Sequence, residues 1–127
     1  MLDQLKEKYK DNWLFHIQNW SSSLHIFIVE KNGHALVKLS KESYDDAIYI
    51  SDLYVIEEYR GRHLGHEMIK IAEEIAEYLD INALELDAYK CDWTVHWYER
   101  LGFKIDNEDE LVLSALDISS MRKELNK

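Results

Sequence analysis

The run Val55-Ile56-Glu57-Glu58-Tyr59-Arg60-Gly61-Arg62-His63-Leu64-Gly65 constrains this chain more than any other segment. It carries an apolar strand into a helix through two arginines and two glycines. The helix is read from Leu64, Met68, Ile71, Ile75 and Leu79, apolar at steps of four, three, four and four. Such a turn gathers several backbone N–H groups at the positive end of the helix dipole. Glycine lets that backbone curl and approach a ligand with no Cβ in the way. The chemistry suited to this is a phosphate or diphosphate, with Arg60 and Arg62 adding charge. An ordinary strand-to-helix turn with surface arginines would read the same way, so the rest of the chain has to decide.

A second element lies downstream. Tyr98-Glu99-Arg100-Leu101-Gly102-Phe103 closes a short helix and starts a strand, after the buried-looking strand Ala83-Leu84-Glu85-Leu86-Asp87-Ala88. In this order and at this spacing, Val55-x4-Arg60-Gly61-x-x-Leu64-Gly65 and Tyr98-x-x-x-Gly102-Phe103 resemble the acyl-CoA-binding segments of the GNAT N-acetyltransferase superfamily. The resemblance spans about residues 47 to 105, over a third of the chain.

The 127 residues suit one domain, taken as 1–127, with a modest core. An apolar share of 46% with abundant Trp and Tyr is a globular composition. The first residues lack the apolar block of a signal peptide, and no apolar run is long enough for a bilayer crossing. The one cysteine, Cys91, has no internal disulfide partner, which fits a reduced, cytoplasmic setting. A net charge of −10 with no basic run longer than Arg122-Lys123 disfavours nucleic acid and anionic membranes as partners. It suits a cationic acceptor, or simply keeps the protein soluble.

Along the chain, residues 2–10 predict a short helix. Trp13–Ile17 and Leu24–Val29 read as strands, Asn32-Gly33 as a hairpin turn, and His34–Leu39 as the return strand. Residues 40–46 read as loop and Ala47–Ile56 as the longest strand, so the first half is an antiparallel meander. After the central helix come the strand Ala83–Ala88, a helix from about Asp92 to Leu101 with Asp92 as N-cap, and a strand from Phe103. The last strand is either Leu111–Ala115 or Ile118–Leu125. Strand, helix, strand in the middle implies a right-handed crossover between parallel neighbours. The expected fold is a single α/β domain of GNAT type, its sheet mixed but mostly antiparallel and flanked by helices.

The resemblance implies two helices between the first two strands, shaping the acceptor side. Here only residues 19–23 separate those strands. Either the helices are lost or the N-terminal helix takes part of their place.

By resemblance, the substrate that supplies the acyl group is acetyl-CoA, and no metal is required. The diphosphate would rest on the N–H groups of Gly61, Arg62, His63, Leu64, Gly65 and His66. His63 stands where the family has glycine and is read as a structural substitution. Leu53, Tyr54 and Val55 correspond to the family's bulged strand, which pairs with the pantetheine arm, although no glycine marks a bulge here. Tyr98 matches the tyrosine that protonates the departing thiolate. Cys91 occupies the place of an asparagine that bonds the pantetheine, and is a weak partner there. A nucleophilic Cys91 is conceivable, though direct transfer needs no such step. Asp52 and Asp87 are candidate general bases, with Asp52 preferred. Trp93 and Trp97, four apart, are read as core packing. The six histidines make no metal pattern beyond His63 and His66, which fall inside the phosphate nest.

The resemblance therefore implies acetyl transfer from acetyl-CoA to a primary amine, on a small molecule or a protein. The rival reading is a CoA-binding regulatory or scaffold module without turnover. Dimers are common among such proteins, so a homodimer stays open.

Overall fold

A computed structural model describes residues 3–18, 24–43, 45–89, 94–105 and 118–125. Seven strands form one sheet: β1 (Leu14–Gln18), β2 (Leu24–Lys31), β3 (Ala35–Glu42), β4 (Ile48–Val55), β5 (Ala83–Tyr89), β6 (Lys104–Ile105) and β7 (Ile118–Glu124). Their spatial order is β1-β2-β3-β4-β5-β7-β6. Among the described residues three helices accompany them: α1 (Asp3–Tyr9), α2 (Leu64–Tyr78) and α3 (Thr94–Arg100), with a 3-10 turn at Glu57–Tyr59.

The meander expected for the first half is present, with β1 to β4 pairing antiparallel in succession. β4 then joins β5 in parallel through α2, because a parallel return needs a long crossover that a hairpin cannot supply. Of the two candidates for the last strand, Ile118–Leu125 does contain one: β7 pairs with β5 over its full length. Leu111–Ala115 lies outside the described residues.

One boundary differs from the sequence reading. Ser40, Lys41 and Glu42 belong to β3 rather than to a loop, since they pair with Ile26, His25 and Leu24 of β2. The partner strand supplies ladder bonds that outweigh the polar composition of those residues.

The core lies between one sheet face and α2. Ala35, Val37, Leu39, Ile48, Ile50, Leu84, Leu86 and Met121 meet the buried stripe Leu64, Met68, Ile71, Ala72 and Ile75 of α2. The i, i+3, i+4 spacing that predicts the helix is thus the spacing that buries it. α1 docks on α2 as well: Leu5 joins the core, and Tyr9 Oη and Lys8 Nζ donate to Glu74 at 2.9 Å. It lines no part of the cleft described below.

β4 carries a bulge. Lys38 of β3 pairs with Asp52, yet the next residue, Leu39, pairs with Ile50, leaving Ser51 as the extra residue. Its Oγ donates to the Lys38 carbonyl at 3.2 Å. The insertion keeps Ile48 and Ile50 on the same face as Leu53 and Val55, which lie an odd number of positions further on.

Candidate active site

The parallel pairing of β4 and β5 is short. It holds only at Ile48 with Leu84 and Tyr49 with Glu85, after which the two strands run on to Val55 and Tyr89 without pairing to each other. A parallel ladder that stops halfway leaves β4 with a free backbone edge. The bulge at Ser51 sits just beyond the last pair, where it adds twist.

A cleft of about 580 Å³ opens along this edge. One wall is Leu53, Tyr54 and Val55 of β4. The turn and the first residues of α2 supply Tyr59, Arg60, Gly61, His63, Leu64, Gly65 and His66, and α3 supplies Thr94, Trp97 and Tyr98. Ten residues singled out from the sequence therefore come together in one cavity. Arg62 and Asp52 are not among its lining side chains. Cys91, Asp92 and Trp93 lie outside the described residues.

The turn is built by two left-handed residues. Gly61 has φ +83° and His63 φ +63°. Gly61 takes that conformation without penalty, and histidine is one of the few other residues found there with some frequency. This explains how His63 replaces a glycine. Arg60 locks the turn to the strand, its Nε donating to the Val55 carbonyl at 2.9 Å. Arg62 instead lies over the Tyr59 ring at 4.6 Å, and the other face of Tyr59 stacks on His34 at 3.9 Å. The guanidinium of Arg62 thus braces the turn through Tyr59 while its backbone remains part of the nest. His63, just ahead of α2, caps the helix with no side-chain hydrogen bond, so the first amides of α2 have no capping side chain there.

Tyr98 lines the same cleft. It is largely buried, with its ring edge-on to Trp97 at 4.9 Å and to Phe103 at 5.6 Å. Burial first, and the nearby charge of Asp52 second, push its phenol up to about 12. Such a group keeps its proton throughout the neutral range. Asp52, exposed on β4, lies near enough to act on Tyr98 electrostatically. Asp87 is differently engaged, accepting a hydrogen bond from Tyr49 Oη at 2.8 Å across the gap where β4 and β5 part. That phenol too is pushed up to about 12, by burial and then by Asp87.

The sequence reading omits Tyr59 and assigns Trp97 to the core. Trp97 does pack on the core edge, but it also lines the cleft and touches the first turn of α2. Helical spacing alone cannot distinguish the two, because a four-residue step from Trp93 fits either. A short helix so close to Gly65 was the available signal, since glycine at a helix start permits a close neighbour.

The geometry tests whether a long thioester-bearing nucleotide fits. The cavity brings together a turn that carries Arg60 and amides with no side-chain cap, the apolar wall of Leu53 and Val55, and the phenol of Tyr98. Among the described residues its lining contains no carboxylate. These features suit a diphosphate, an extended amide arm and a thiol leaving group in that sequence. Among the described residues no group of three or more His, Cys, Asp or Glu is arranged to hold a metal ion.

Comparison with known proteins agrees with the fold. The chain superposes on nourseothricin acetyltransferase with a TM-score of 0.66 at 16% identity, covering 91% of this chain and 85% of that one. A GNAT family acetyltransferase from Elizabethkingia anophelis with acetyl-CoA bound gives 0.64 at 13% identity, over 91% and 99%. The PaiA N-acetyltransferase from Thermoplasma acidophilum in complex with coenzyme A gives 0.61 at 17%, over 94% of this chain and 65% of that one. No curated protein matches the sequence itself. The profile of the Acetyltransferase (GNAT) domain, however, matches residues 22–105, about two-thirds of the chain. This chain belongs to the GNAT acetyltransferase family.

Proposed function

We propose that this protein transfers an acetyl group from acetyl-CoA to a primary amine by direct attack, both substrates being bound together. The observation that carries the reading is one cleft lined both by the helix start with Arg60 and by the partly buried phenol of Tyr98, which is raised to about 12. Acetyl-CoA supplies the activated thioester. The amides from Gly61 to His66 and the guanidinium of Arg60 bind its diphosphate. The free edge of β4 at Leu53–Val55 orients the amide arm, with a backbone N–H of this segment available to the carbonyl oxygen. Tyr98 holds the proton that the sulfur takes when the C–S bond breaks, and Asp52 accepts, through water, the proton the amine must shed as its C–N bond forms. Cys91 needs no part in this scheme beyond a weak contact to the arm.

The acidic surface, with a net charge of −10, supports a cationic acceptor, small molecule or protein. The five residues between β1 and β2 favour one rival, a CoA-binding module without turnover, because they leave no room for acceptor-side helices. Thiol release from acetyl-CoA over a panel of polyamines, aminoglycosides and lysine peptides separates the two. Turnover that falls steeply in Tyr98→Phe supports the enzyme. Coenzyme binding with no turnover on any amine supports the module.

A further inference from the structure

The cleft reverses the charge of the molecule around it. The chain carries −10 overall, yet the ionisable side chains bordering the cavity are Arg60, His63, His66 and tyrosines, and no carboxylate is among them in the described residues. The two imidazoles stand together at the start of α2, edge to face with centroids 5.5 Å apart, and His66 meets the Trp97 ring edge-on at 5.4 Å. His63 holds its place through a left-handed backbone, and both side chains line the cavity.

We propose that the His63 and His66 side chains, in their protonated form, are themselves ligands of the coenzyme diphosphate, so that binding takes up protons and tightens as the solution becomes more acid. This rests on the coenzyme reading above and goes beyond it, since that reading uses only the backbone of these residues. Imidazole is the side chain whose charge changes between about pH 5 and about pH 8. Once protonated it has two N–H donors and makes short, charge-assisted bonds to phosphate oxygens. A diphosphate beside the rings favours their cationic form. Affinity is therefore greatest where both rings are protonated, and it is lost as pH rises through the range in which the bound rings give up their protons.

The turn carries Glu57 and Glu58 as well as Arg60 and Arg62, Tyr54, Tyr59 and Tyr98 border the cleft, and His34, just ahead of β3, stacks on Tyr59. On α2, Glu67 accepts from Trp13 Nε1 at 3.4 Å, and Lys70 is one turn further on. On α3, His96 and Glu99 pair with each other at 3.2 Å, and Arg100 follows at the end of the helix.

The test is calorimetric titration with 3′-dephospho-CoA, which keeps the diphosphate but lacks the monoester whose own ionisation near pH 6 would obscure the result. From about pH 8 to about pH 5.5 the wild-type affinity should rise about tenfold or more. His63→Gly and His66→Gln should each flatten the slope, and the double variant should abolish it. Independently of any variant, titrations of the wild type in buffers of different ionisation enthalpy should report net proton uptake. A flat or reversed wild-type profile, zero uptake, or a double variant with the wild-type slope would overturn the inference while leaving the coenzyme reading intact. Absence of binding by both CoA and 3′-dephospho-CoA at every pH would contradict that reading and this inference with it.

Discussion

A Cβ placed on Gly65 would stand 3.0 Å from Cζ2 and 3.1 Å from Cη2 of the Trp97 indole. The second residue of α2 is thus in contact with the middle of α3, and Tyr98, the next residue on α3, borders the same cleft. This close approach helps set the spacing between the proposed diphosphate seat and the phenol. Gly65→Ala should cost about 1–2 kcal/mol of stability through overpacking, read by urea unfolding, and should weaken coenzyme binding. Adding Trp97→Phe, which removes the outer indole atoms, should recover part of the stability loss. Additive losses in the double variant would contradict the contact.

Tyr98→Phe should lower turnover by about 100-fold or more while changing the dissociation constant of CoA little. Because burial and Asp52 hold the phenol near 12, no loss of activity near neutral pH should be traceable to its ionisation. Asp52→Asn removes a negative charge and should draw the phenol's titration downward, visible in ultraviolet difference spectra. An unchanged titration would mean Asp52 does not act on Tyr98.

Stability should also fall in strong alkali. Tyr49 and Tyr98 are both raised from 10.0 to about 12 in the folded chain. Their contribution is complete below pH 10 and is lost as pH climbs from there through about 12, because the unfolded chain releases these protons first. Melting temperatures across this range should drop less steeply in Tyr49→Phe and Tyr98→Phe than in the wild type.

At His63 the left-handed backbone decides what is tolerated. His63→Gly removes a strain of about 1 kcal/mol but adds a similar entropy to the unfolded chain, so thermal stability should barely move. His63→Val, β-branched at the same φ, should lose about 1–2 kcal/mol. Equal stability of the two variants would show that the turn does not hold this conformation.

Deleting Ser51 would restore an unbroken ladder with Leu53 and Val55 still opposite Val37 and Ala35, and would remove the extra twist beside the cleft. The expected result is a chain that still unfolds cooperatively but binds coenzyme more weakly. A deletion variant that binds normally would show that the bulge does not shape the cleft.

The bulge also illustrates what a sequence displays. No glycine marks it, but the apolar parity of β4 changes between Ile50 and Leu53, and with a buried face on each side only an extra residue reconciles the two. That signal was present locally. The meander, the crossover and the central helix were legible for the same reason: their apolar periods report burial directly. The extension of β3 to Glu42 was not, because Ser40, Lys41 and Glu42 are strand only through their pairing with β2. In the cleft, Arg60, Gly61, His63 to His66 and Tyr98 could be found from motif spacing. Tyr59 could not, since its place depends on being stacked between His34 and Arg62, residues that only the folded chain brings together.

The most direct test is a crystal structure of the protein with CoA. The account predicts the diphosphate on the amides of Gly61 to His66, the arm along Leu53–Val55, and the thiol within hydrogen-bonding reach of Tyr98 Oη. Coenzyme bound elsewhere, or a Tyr98 hydroxyl turned away from the sulfur into the packed interior, would contradict it.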